Sequence, residues 1–581
     1  MNYPIWEVPA SGLLIAFVAI VHVVVSHFAV GGGLFLVLAE RKARRESDEA
    51  FLGWLKKHSR FFILLTLVFG ALTGVGIWFT IALVSPQATS SLINSFVWGW
   101  AMEWTLFITE IAAAMVYYYG WDRLPARTHL AVGWVYFVAA WGSLAIINGI
   151  LAYMLTPGAW VLNHTFWSGF FNPTYFPALV MRTFVAAGLA GVYAFLTAAW
   201  LSDPQLKARI ARYAGFGWVL PMAVATPFSL VWYLVAAGRA GVPTGEILGA
   251  KGVGVSSIIA AILKTGGASG HPPTQRAALV AIVASALVIL LTLAILAYRA
   301  QRYGRLAGVL LLVLSLFAMG GGEWTREGLR KPYVIGQFMF VNTIRLPAPP
   351  SVPRPPEGFG EDPYALPAVQ RSGVLAASRW SHPPAAWASL DSIADPKARA
   401  EVEEATGREV FKLVCSQCHT HDGYLAIRPL VRGQTVAALE RVISKLAEPV
   451  NAAGEPTEWS DPQLRLRTWL GRRMPPFPGN DAERRAVAVY LARVGGTPDA
   501  GTEAPAVGSL GRKVFDEKCA MCHGADADWP MARMIKGRDA AQLYDALGQL
   551  DQLNDVMPPF DGTDDERRAL ADYLAGTKEG Q

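Results

Sequence analysis

Long apolar runs separated by short polar stretches dominate the first 340 residues. Eight runs, at about 12–39, 61–84, 97–119, 130–155, 175–201, 214–237, 276–298 and 305–322, are long enough to cross a bilayer, which takes about 20 residues of helix each. Pro221 and Pro227 fall inside the sixth run, where a membrane helix tolerates the kink. The run from Leu13 has its basic stop after it rather than before it, so it reads as an uncleaved first span. Beyond residue 346 the pattern changes. Ten prolines between 347 and 384 predict a stiff, extended tether. Soluble helical periodicity follows. The expected fold is all-α: a polytopic bundle of about eight transmembrane helices followed by two small all-α domains. The boundaries are 1–346 for the bundle, 347–399 for the linker, and 400–496 and 507–577 for the two domains.

Charge gives this pattern a direction. The stretch after the first span carries Arg41, Lys42, Arg44, Arg45, Lys56, Lys57 and Arg60. Basic residues recur after spans three, five and seven, whereas 85–96 and 156–174 contain no lysine or arginine. Basic loops stay in the cytoplasm, so the N-terminus is expected outside and, after eight crossings, the C-terminus too. This is the topology of a bacterial cytoplasmic-membrane protein with its soluble domains on the outer face. The net charge of +6 sits in these short loops and does not signal nucleic-acid binding. Membrane lipid is the first partner the composition implies.

All four cysteines fall in two Cys-x-x-Cys-His runs, Cys415-Ser-Gln-Cys418-His419 and Cys519-Ala-Met-Cys522-His523. Two thiols three residues apart can bond both vinyl groups of one porphyrin, and the adjacent histidine then ligates the iron. No cysteine is left for a disulfide or a zinc site. Each run belongs to a longer repeat. Gly407, Phe411, Cys415, Cys418 and His419 are followed by Met474-Pro-Pro-Phe477. Gly511, Phe515, Cys519, Cys522 and His523 are followed by Met557-Pro-Pro-Phe560. A charged helix start and a tyrosine, Tyr490 or Tyr573, close each copy. The repeat resembles the class I cytochrome c fold. The resemblance implies that His419 and Met474, and His523 and Met557, are the iron ligands of two covalent haems c. A methionine opposite a histidine favours reduced iron, which suits electron relay.

The apolar half carries ionisable residues that need a reason, because each costs several kcal/mol at bilayer depth unless paired or ligated. His22 and His27 lie in span one. Glu103 and Glu110 lie in span three, on one helix face and about 10 Å apart along the axis, with Trp100 and Phe107 on the same face. Histidine and carboxylates inside apolar helices suit a haem pocket with a proton path. Gly31, Gly32 and Gly33 would let a macrocycle or another helix come close.

Several segments resemble subunit I of the cytochrome bd quinol oxidases: Gly120-Trp121-Asp122-Arg123-Leu124, Phe69-Gly-Ala-Leu-Thr-Gly74, the stretch from His22 to Glu40, and Glu327-Gly-Leu-Arg-Lys-Pro-Tyr333. The resemblance implies a helical bundle holding haems that reduces dioxygen at a di-haem site, alongside a second helical membrane subunit. It makes His22 an axial ligand at the oxygen site and Glu327 a ligand of the high-spin b haem. Glu103 and Glu110 become the haem-contacting and proton-channel carboxylates. Those four residues are the candidate catalytic set. His27 has no role in this assignment.

The sequence departs from the family where a third, low-spin b haem beside the quinol would need a histidine. It reads Val180-Met181-Arg182-Thr183 there, so the match falls on Met181, which could still ligate iron, or on Arg182, which ordinarily would not. The family's long quinol loop has no counterpart in 238–275. The expected complement is therefore two covalent haems c and two non-covalent b- or d-type haems, in a terminal-oxidase-type oxidoreductase fed by its c haems and working with other respiratory cytochromes. Two alternatives remain open. The membrane part could oxidise quinol and export electrons through the c haems, or a haem-free bundle could anchor a dihaem cytochrome c in a larger respiratory complex.

Overall fold

The computed structural model describes residues 11–250, 255–263, 272–346, 362–423, 425–447, 474–496, 510–519, 523, 531, 535, 538–550 and 559–576. They fold almost entirely as helices, in two units that divide at Gly336. Eight long helices make the first unit: α1 (Ser11–Arg45), α2 (Glu49–Val84), α3 (Val97–Tyr119), α4 (Ala126–Leu155), α5 (Tyr175–Ala198), α6 (Pro204–Arg239), α7 (Pro273–Tyr298) and α8 (Arg305–Arg330).

Seven of the eight are long and apolar enough to cross a membrane. The exception is α3, one of the eight expected spans. Its 23 residues reach about 35 Å, but Glu103, Glu110 and a high share of tryptophan and tyrosine lower its hydropathy. Large side chains such as Leu72, Trp98, Trp104 and Phe228 stay exposed on the bundle, as lipid-facing residues do.

The helices run further than the apolar runs predict. Helix α2 begins at Glu49, capped by Asp48, whose carboxylate accepts from Phe51 N–H at 3.0 Å. Lys56, Lys57 and Arg60 thus lie on its first turns and not in a loop. Helix α6 begins at Pro204, capped by Asp203. A π-helical turn at Gly215–Val219 immediately precedes Pro221, the kind of local adjustment that rehouses the carbonyls a proline leaves unbonded.

Helix α1 is the hub of the bundle, and its three glycines are the reason. Successive helical residues point about 100° apart, so Gly31, Gly32 and Gly33 face three different neighbours. A Cβ on Gly31 would lie 1.9 Å from the Ala186 carbonyl oxygen of α5. One on Gly32 would lie 2.6 Å from the Phe62 ring of α2, and one on Gly33 2.4 Å from the Tyr136 ring of α4. The glycines admit helices and aromatic rings here. Elsewhere α3 packs on α4, α7 on α8, and α5 on α6 and α8.

The second unit contains α9 (Leu366–Ser372), α10 (Val374–Ala377), α11 (Pro396–Val414), α12 (Val436–Ala447), α13 (Asp481–Val494), α14 (Leu510–Lys518), α15 (Ala540–Leu547) and α16 (Asp564–Gly576). Residues 347–361 of the expected tether lie outside the described residues; from Leu366 the stretch carries short helices. Leu366, Val369, Val374 and Leu375 are buried in one core with Phe411, Phe477, Val487 and Leu491. The Glu483 carboxylate accepts both the Val374 and the Leu375 N–H at 2.8 Å. Two charge-assisted bonds therefore tie this segment to the start of α13.

Candidate functional site

The two soluble helix pairs are built the same way. In the first, α11 crosses α13 at Gly407, where a Cβ would lie 2.0 Å from the Ala486 carbonyl oxygen and 2.8 Å from Tyr490 Cβ. In the second, α14 crosses α16 at Gly511, where a Cβ would lie 1.9 Å from the Ala569 oxygen and 2.6 Å from Tyr573 Cβ. Neither position has room for a side chain, because the obstacle is backbone. One turn further on, Phe411 meets Tyr490 at 5.5 Å and Phe515 meets Tyr573 at 5.8 Å, both tilted. The closing helices are capped alike. Asn480 and Glu483 form a reciprocal capping box, and Thr563 and Glu566 repeat it.

The Cys-x-x-Cys-His turns follow the opening helices. Cys415 N–H bonds Phe411 O at 2.8 Å and His419 N–H bonds Cys415 O at 2.9 Å. In the second pair, Cys519 N–H bonds Phe515 O and His523 N–H bonds Cys519 O, both at 2.9 Å. One helical turn thus carries thiol and imidazole together. His419 Nδ1 lies 2.9 Å from the Leu425 carbonyl oxygen. Donation to that carbonyl fixes the tautomer and leaves Nε2 with its lone pair, the orientation metal-ligating histidines take. Burial lowers the His419 pKa, partly offset by this bond. Cys415 and Met474 both border the apolar core of the first pair. These residues fit a covalent haem. Cys522 and Met557 lie outside the described residues.

In the membrane unit the candidate residues occupy separate interfaces. His22 is half-buried against α2, with Nδ1 3.1 Å from Thr73 Oγ1. Gly74 beside it makes room for the ring: a Cβ there would lie 3.1 Å from His22 Cε1. Glu103 and Glu110 both face α4. Ser143 donates to Glu103 at 2.9 Å, and the Tyr136 hydroxyl lies 3.0 Å from Glu110 and 3.1 Å from the Ala29 carbonyl oxygen. Gly33 gives the Tyr136 ring its place, so the glycine run and the glutamate ladder are parts of one arrangement. Glu327 ends α8 paired with Arg330, whose Nε is 3.0 Å away, and with Lys331 at 3.5 Å. No direct contact joins His22, the glutamate ladder and Glu327 among the described residues.

His27 is almost fully buried, with Nδ1 2.8 Å from the Val23 carbonyl oxygen. In the stretch Val180-Met181-Arg182-Thr183, Arg182 is the residue that turns inward. It is 5% exposed and bonded to Glu323 of α8 at 3.2 Å. A guanidinium in an ion pair cannot serve as an iron ligand, so Arg182 is not one.

One cluster was not expected from sequence. Glu40 of α1 is wholly buried and accepts from Tyr117 Oη at 2.7 Å, Arg44 Nε at 2.7 Å and His129 Nδ1 at 2.9 Å. His129 lies 2.8 Å from the Tyr117 carbonyl oxygen through its other nitrogen. A bonded Tyr-Glu-His cluster in the apolar core holds α1, α3 and α4 together. Its only sequence signal is a Glu four residues before an Arg.

The fold and these motifs define a polytopic helical membrane protein that carries two Cys-x-x-Cys-His turns. Residues 11–214 match the family described as cytochrome bd terminal oxidase subunit I, and residues 506–574 match the one described as cytochrome C oxidase, cbb3-type, subunit III. No curated protein matches the chain. Among solved structures it is similar to the bd oxidase from Geobacillus thermodenitrificans, at 16% identity and a TM-score of 0.45, over 56% of this chain and 87% of that one. The chain is thus a bd oxidase subunit I-like, multi-pass membrane protein with a cytochrome c domain, which places it in respiratory electron transfer.

Proposed function

We propose that this chain is an oxidase-type subunit in which two covalent haems c, held by 400–496 and 507–577 on the outer face of a bacterial cytoplasmic membrane, supply electrons to a di-haem site in the bundle. When bound, those haems carry the electrons that, with protons, convert dioxygen to water. The observation that supports this direction most is the buried Arg182–Glu323 pair, which stands where the related family places its quinol-side histidine. A chain without that ligand needs another electron entry, and its own c-type turns supply one.

The protein's residues then divide the work. His22 is held by Thr73, and its imidazole would bind iron. Glu327, charge-compensated by Arg330 and Lys331, presents a carboxylate at the end of α8. Glu110 and Glu103 hold protons between them, each bonded to a hydroxyl that can pass one on, Tyr136 and Ser143. A second helical membrane subunit and a soluble cytochrome donor are the partners this reading requires.

The test is oxygen consumption by the purified complex. A Cys415→Ala, Cys519→Ala double variant is expected to lose at least about tenfold in rate with a reduced soluble electron carrier, since each 1.4 kcal/mol of lost coupling is tenfold. Full-rate oxygen consumption with quinol in that variant contradicts the reading.

A further inference from the structure

The interface of α5 and α8 holds a charge cluster that the proton and electron chemistry does not use. Arg182 Nη2 is 3.2 Å from Glu323 Oε1, and Arg326 Nε is 2.7 Å from Glu323 Oε2. Tyr233 of α6 and His27 of α1 are within electrostatic reach of the same pair. One turn on, Glu327 shares its charge with Arg330 and Lys331. Two guanidinium groups, Arg182 and Arg326, therefore share the single Glu323 carboxylate between α5 and α8, while Glu327 at the end of α8 has its own two cations. Two donors in the cluster, Arg182 Nε and Arg326 Nη1, are buried and have no hydrogen-bond acceptor among the described residues.

An arginine cannot relieve such a position by losing its proton. Excess buried charge costs several kcal/mol unless an anion compensates it. The anion that suits the cluster carries two negative groups, each able to accept from a planar guanidinium fork, on a body apolar enough for the bundle. A haem has that chemistry: two propionate carboxylates on one edge of a flat apolar ring.

We infer that Arg182 and Arg326, held apart by Glu323, clamp the propionates of a haem bound in the membrane bundle. The inference rests on the reading that the bundle holds haem. It gives Arg182 a task that a histidine at that position would not perform: recognising the rim of the macrocycle instead of its iron. An anionic lipid headgroup offers the same charge, so the test must separate the two.

The test uses the full-length complex, with covalent haem c as the internal measure of folded, inserted chain. The Arg182→Met, Arg326→Gln double variant is expected to lose at least half of its non-covalent haem per haem c. Glu323→Gln frees both guanidinium groups from a competing anion and is expected to keep the wild-type ratio. An unchanged haem ratio in the double variant overturns the clamp. So does a loss of haem in Glu323→Gln as large as in the double variant, which would make the cluster only a tie between helices. Loss of bound anionic phospholipid with haem retained assigns the site to a headgroup and also overturns it. A wild-type complex without non-covalent haem overturns the functional reading and the clamp together, whereas wild-type haem that survives the double substitution overturns the clamp alone.

Discussion

Replacing Cys415 and Cys418 with alanine is expected to lower the covalent haem of the purified chain from two per molecule to one. The same change at Cys519 and Cys522 is expected to remove the other. Each thioether pair is the whole covalent attachment of its haem, and no other cysteine exists to substitute. His419 and Met474 would remain as ligands, but coordination alone releases the porphyrin on denaturation. The loss reaches beyond the cofactor. Each helix pair is small, and below about 70–80 residues an apolar core rarely supplies more than 3–5 kcal/mol. The pair around Val514, Leu543, Leu547 and Leu570 has few buried apolar side chains, so the second domain is expected to lose the larger share of its stability. Haem-stained denaturing gels of each variant measure the effect. Two covalent haems surviving in either one would contradict the attachment sites.

His22→Ala is expected to remove non-covalent haem while both haems c remain, cutting the non-covalent content by about half if the bundle holds two. The substitution deletes the imidazole that Thr73 orients and that Gly74 makes room for. His27→Ala provides the contrast. His27 Nδ1 is bonded within its own helix to the Val23 carbonyl oxygen, and one helical turn beyond it Gly31 brings α1 against the α5 backbone. Its loss is expected to destabilise the bundle by about 1–3 kcal/mol, the usual cost of disturbing a buried polar group, and to leave haem content unchanged. Absorption spectra normalised to haem c distinguish the two. An unchanged spectrum in His22→Ala would remove His22 from the ligand set.

These expectations rest on features that differ in how far the sequence reveals them. The c-type turns are legible because thiols, imidazole and the crossing glycine are local and repeated, and Gly407 and Gly511 do in the structure what their spacing implies. The spans are legible because a bilayer demands length and apolarity. Their ends are not, since Asp48 and Asp203 start α2 and α6 about three turns before the apolar runs begin. The glutamate ladder is half legible. Glu103 and Glu110 share a face by periodicity, but Ser143 and Tyr136 are 40 and 26 residues away, and nothing local announces the pairing.

The least legible features are the long-range ionic contacts. Glu40 reaches His129 across 89 residues, and Arg182 reaches Glu323 across 141. In an apolar helix a lone charge signals only that a partner exists. Which helix brings that partner depends on packing, and in this bundle packing is set by where α1 has no side chains. From Leu366 the proline-rich segment is hard to read for a related reason. Its composition favours extension, but Leu366, Val369, Val374 and Leu375 recur at positions that a neighbouring core can bury, and Glu483 supplies acceptors for the backbone.

Covalent and non-covalent haems are expected to share this one chain. A pyridine haemochrome spectrum of the purified wild-type complex, with haem counted per chain, tests it most directly. The account predicts two haems c and two further haems of b or d type. Two haems c alone would contradict it and leave the bundle as a membrane anchor for a dihaem cytochrome c.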